Sequence, residues 1–71
     1  MVGNKLGLKI AIETTVRIAE HLPNKDNKEL YRKTVESIFD DQLKAYTNFN
    51  RQQRHDCRKF LKESMRQRDA D

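Results

Sequence analysis

The stretch Lys5–Leu22, KLGLKIAIETTVRIAEHL, decides between two folds. Leu6, Leu8, Ile10, Ile12, Val16 and Ile18 all stand at even positions, and this alternation, together with the β-branched Ile, Thr and Val, is a strand pattern. A helical wheel competes with it. At about 100° per residue, Leu8, Ala11, Ile12, Thr15, Val16, Ile18, Ala19 and Leu22 gather on one face, and Lys9, Glu13, Arg17 and Glu20 gather on the other. Length arbitrates, because an ordinary strand spans about five or six residues and this run is far longer. The reading is a helix over about residues 8–22, its start delayed because Gly3 and Gly7 each weaken a helix.

The rejected alternative has a topological consequence. A short N-terminal strand followed by two helices is similar to the ribbon-helix-helix repressors. However, a strand ending near Ile12 would leave only Glu13–Leu22 for the first helix.

Downstream, Pro23 biases Leu22 away from the α region, and Pro23–Asn27 reads as a polar turn. Asp26 followed by Glu29 has the form of a capping box, which opens a second helix over 27–47. There Tyr31, Val35, Ile38, Phe39, Gln42, Leu43 and Tyr46 recur at helical steps, while Lys28, Arg32, Lys33, Glu36, Asp40 and Asp41 point to solvent. Thr47-Asn48-Phe49-Asn50 is the next punctuation. Asn and Thr divert backbone hydrogen bonds into caps, and Asn50 with Gln53 can open a third helix over 51–68. With no Pro or Gly at the break, the rival form fuses helices 2 and 3 into one helix of roughly 60 Å, which would have to associate with another copy. The expected fold is an all-α, single three-helix domain.

Composition narrows the function. In 71 residues, 35% are apolar and 37% charged, so a small core must come from well-aligned faces. Such a core supplies only a few kcal/mol, and homo-oligomerisation is expected, with Phe39, Leu43, Tyr46 and Phe49 as the self-association face. No apolar run reaches the roughly 18 residues of a membrane span, and MVGNKLGLK lacks the apolar segment of a signal peptide, so the expectation is a cytoplasmic protein without membrane contact. The lone Cys57 fits a reducing compartment, as a small core or interface residue. His55-x-Cys57, with His21 distant, lacks the count and spacing of a zinc site, so no metal and no cofactor is expected. Glu36, Asp40 and Asp41 read as a solvated face. No catalytic fingerprint occurs, and the function expected is binding rather than catalysis.

Charge gives the best lead. The net charge is +4, and seven of the nineteen residues in Asn50–Arg68 are Arg or Lys. On a helix, Arg51, Arg54, Arg58, Lys59, Lys62 and Arg66, with His55 among them, form one stripe beside an apolar face of Gln53, Cys57, Phe60, Leu61, Ser64 and Met65. Guanidinium forks match phosphate and carboxylate geometry, and a basic stripe next to an anchoring face suits a helix lying on nucleic acid. Surface helices also carry such stripes merely for solubility. The expected function is a small regulatory protein that binds nucleic acid through these six residues. The alternative is a protein-protein interaction module, such as a small inhibitor or adaptor of a phage or other mobile element, in which the stripe meets an acidic partner surface.

Overall fold

Helix wins over Lys5–Leu22. The computed structural model describes residues 3–23 and 25–70, and among these it shows three α-helices and no strand: α1 Asn4–Glu20, α2 Lys28–Tyr46 and α3 Arg51–Ala70. Ala11, Thr15, Val16 and Ala19 are buried along α1, at the three- and four-residue steps of the wheel. Lys9, Glu13, Arg17 and Glu20 are exposed, as is Leu6, which fell outside the expected face. Ile18 departs from the expectation: it sits at the edge of that face and is 37% exposed.

The first helix also begins a turn earlier than residue 8. Gly7 is buried and donates its N–H to the Gly3 carbonyl, so both glycines belong to the helix start. The reason is close approach. A Cβ on Gly7 would overlap the Tyr46 carbonyl oxygen and lie 3.0 Å from Thr47 Cγ2, so only glycine lets α1 cross the end of α2 here. The propensity lost is offset by packing that any side chain would prevent.

At its other end α1 stops before Pro23. Its last carbonyls are not left bare: the Tyr31 hydroxyl donates to the Ala19 carbonyl at 3.2 Å, and Lys25 Nζ donates to the Glu20 carbonyl at 2.9 Å. Asn24, part of the expected turn, lies outside the described residues. The expected Asp26–Glu29 box is corrected by one residue. Asn27 is the N-cap, its side chain accepting the Leu30 N–H at 3.1 Å. Asn caps as well as Asp, and the register is set by where α2 packs on α1. Glu29 instead reaches Lys33 at 3.6 Å on the exposed surface, where such a pair adds little.

The break between helices 2 and 3 falls at residues 47–50. Thr47 ends α2, its hydroxyl donating to the Leu43 carbonyl and accepting the Phe49 N–H. Asn50 and Gln53 form a reciprocal box, each side chain accepting the other's backbone N–H at 2.8 Å. From α1, Asn4 Oδ1 accepts the Asn48 N–H at 3.0 Å. The longest dimension is 38 Å, well short of the roughly 60 Å of a fused helix. Thus α3 folds back along α2, while α1 packs chiefly on α2 and only lightly on α3.

The core gathers one face from each helix: Ala11, Val16 and Ala19 from α1, Val35, Phe39 and Leu43 from α2, Cys57 and Leu61 from α3. The four residues expected on a self-association face sit as follows within one chain. Phe39 and Leu43 are fully buried inside one chain, and Phe49 packs against the same core, because the largest apolar face of α2 is consumed by α1 and α3. Of the four, Tyr46 alone stays largely open, at 42% exposure. Phe60, expected on the anchoring face, is 46% exposed.

Candidate functional site

The α3 cations owe their position to Cys57 and Leu61. Both are buried in the shared core, which fixes the rotation of α3 and turns Arg51, His55, Lys59, Lys62 and Arg66 outward, with Arg58 half-buried beside them. Burial raises the Cys57 thiol pKa, Asp56 raises it further, and Lys59 opposes both, so the thiol remains protonated and inert as a core residue.

Arg54 leaves the stripe. Its Nε donates to Asp40 Oδ1 at 2.8 Å and its Nη1 to the Phe49 carbonyl at 3.1 Å, with its side chain only 16% exposed. The guanidinium therefore clamps α3 to α2 and to the link between them. Asp40, expected on a solvated face, is the acceptor of this clamp and also meets Lys44 at 3.5 Å. Burial would raise its carboxyl, but the hydrogen bond and charge of Arg54, aided by Lys44, hold the pKa below the ordinary value.

A cation outside the expected stripe comes in from α2. Arg32, on α2, lines the same groove of about 450 Å³ as His55, Arg58, Lys59 and Lys62, with Glu36 and Asp56 on its walls. The pairing follows from the reversal of the chain. Asp40 and Arg54 stand equally far on either side of Thr47, and so do Glu36 and Arg58, and Arg32 and Lys62. An adjoining pocket shares Arg32, Glu36, Arg58 and Lys62 with this groove and is completed by Tyr31, Val35, Leu61 and Met65.

Among the described residues, Arg32, Arg58, Lys59 and Lys62 make no salt bridge. Lys59 Nζ lies 5.1 Å from the Phe60 ring centroid, a cation–π contact at an exposed site. The groove brings cations from two helices together, four Arg or Lys against the two carboxylates on its walls, so its lining keeps a net positive charge. Arg51 and Arg66 extend it at the two ends of α3 but do not line it.

Chemically, the groove offers the N–H donors of two guanidiniums and two ammoniums beside two carboxylates. Among the described residues no three His, Cys, Asp or Glu side chains gather as a metal would need, and no helix is long and apolar enough to cross a membrane. Comparison with family models, with curated proteins and with solved structures gave no match.

Proposed function

We propose that this protein is a small regulator that binds nucleic acid without catalysis, holding backbone phosphates in the α2–α3 groove. Arg58, Lys59, Lys62 and Arg32 make the central contacts, and Arg51 and Arg66 continue them along α3. Arg54 serves as a positioning residue, since its guanidinium is spent on Asp40 and Phe49. The observation that supports this reading is the convergence of Arg32 and Lys62, from separate helices, on one groove, with no ion pair to either among the described residues. Folding crowds like charge there, and a phosphate oxygen between them relieves it. Contacts of this kind position a backbone and carry little sequence information, so binding is expected to be tolerant of sequence.

An acidic protein surface is the second reading. Glu36 and Asp56 favour it, because carboxylates on the walls of a basic groove suit a partner of mixed charge better than a bare phosphate strand. Fluorescence anisotropy with labelled duplex and single-stranded oligonucleotides separates the two. Binding by the wild type at low salt, weakened at least about tenfold by Arg32→Glu with Lys62→Glu, is expected, and both residues are exposed enough for the fold to tolerate the change. Absence of binding to either oligonucleotide at low salt would end the nucleic-acid reading.

A further inference from the structure

The opposite side of α3 carries a second groove, between α1 and α3. Lys5, Leu8, Lys9, Ile12 and Glu13 form one wall and Phe60 and Ser64 the other, around a space of about 420 Å³ that is mostly apolar. Leu8 and Ile12 are half-buried, and Phe60 is 46% exposed at its mouth. We infer that this groove is the contact face of a two-fold symmetric homodimer, in which the α1 helices of two copies pack antiparallel and each Phe60 inserts against the other copy. The inference is independent of the basic groove, which lies on the α2 side of α3.

The order of charges along α1 selects a second copy as the occupant. Cations Lys5 and Lys9 stand toward the N-terminal end of the wall and the carboxylate Glu13 at the other end. A two-fold axis crossing α1 near Ile10 turns the helix end for end. It sets Leu8 opposite Ile12 of the partner subunit, and it places Glu13 between Lys5 of the partner subunit and Lys9 of the partner subunit, about 3 Å along the axis from each. Among the described residues, Lys5, Lys9 and Glu13 make no ion pair within the chain, so all three are available. An acidic helix from another protein would match the lysines but would meet Glu13 with like charge. A second copy satisfies all three.

Sedimentation velocity across a concentration series tests the inference on the full chain. The wild type is expected to be a dimer at micromolar concentration, and Phe60→Glu should raise the dissociation constant at least about 30-fold, the weight of an interface hot spot. Circular dichroism checks that Phe60→Glu still folds. Should it not, the charge series decides: Glu13→Lys weakens the dimer, and adding Lys5→Glu to it restores association. A wild type monomeric at about 100 μM would overturn the inference, including a monomer that instead captures an acidic amphipathic peptide in this groove. A dimer indifferent to Phe60→Glu, or a Glu13→Lys defect not rescued by Lys5→Glu, would overturn it as well.

Discussion

Replacing Gly7 by Ala sets two physical effects against each other with opposite signs. Helix propensity alone says that Gly7→Ala stabilises, by up to about 1 kcal/mol, since alanine is the best helix former and glycine among the worst. The crossing of α1 over the end of α2 says the reverse. The new methyl would overlap the Tyr46 carbonyl oxygen and sit 3.0 Å from both Tyr46 C and Thr47 Cγ2. Two of the three obstructing atoms are backbone and cannot rotate away. The whole of α1 must retreat at its N-terminal end, on the order of 1 Å in a close-packed core. That retreat strains the 3.0 Å bond from the Asn48 N–H to Asn4 Oδ1 and loosens α1 from the fully buried Leu43 and Phe39.

Overpacking of this kind costs about 1–3 kcal/mol, and a weakened hydrogen bond adds about 1 kcal/mol. After the propensity gain is subtracted, a net loss of about 2 kcal/mol remains, which for a chain of this size lowers the melting midpoint by about 8–16 °C. Urea and thermal denaturation followed by circular dichroism at 222 nm read this directly. Gly3→Ala is the control, because nothing lies within 4 Å of the added methyl, and its midpoint should hardly move. A Gly7→Ala protein as stable as the wild type, or more stable, would refute the close crossing and with it the placement of the 47–50 link.

Thr15 is wholly buried, and its hydroxyl has no hydrogen-bond partner among the described residues, so Thr15→Val should raise stability by about 1 kcal/mol; a loss in the same urea titration would show that the hydroxyl is bonded after all. Asp40 has a folded-state pKa below that of an ordinary Asp carboxyl, so its contribution is present above the ordinary value and is lost as pH falls through the lower folded value. Stability measured from pH 6 down to pH 2 should therefore drop in that acidic window. Arg54→Gln should cost about 1–3 kcal/mol at neutral pH and flatten the drop, and an unchanged pH profile would count against the clamp. Cys57 should resist iodoacetamide at pH 8 in the folded protein and react once urea unfolds it; equal rates in both states would mean that α3 does not bury the thiol.

Helix identity was legible from periodicity because three apolar faces recur at helical steps. The competing alternation over Leu6–Ile18 failed on length alone. Polar capping also told the truth at Asn50 and Gln53, whose reciprocal bonds make the break that separates a folded-back domain from a single long helix. Glycine was misread, since propensity scales treat Gly7 as a defect, whereas its value lies in the carbonyl that approaches from α2. The stripe was legible as a set of α3 positions but not as a site. Periodicity sees one helix at a time, so it could not show that Arg54 pairs across the reversal with Asp40, nor that Arg32 arrives from α2 beside the stripe. Both follow once Thr47 is taken as the turning point, because residues equally distant from it face each other. The largest apolar face of α2 was assigned to an interface for the same reason: Phe39 and Leu43 look unpartnered until α1 and α3 cover them.

The central claim is that unpaired cations from two helices form one phosphate-holding edge, and the salt dependence of oligonucleotide binding tests it most directly. With Arg32, Arg51, Arg58, Lys59, Lys62 and Arg66 each neutralising a phosphate, the logarithm of the affinity for duplex DNA should fall against the logarithm of salt concentration with a slope of about −5. A slope shallower than about −1, or binding that survives high salt unchanged, would contradict it.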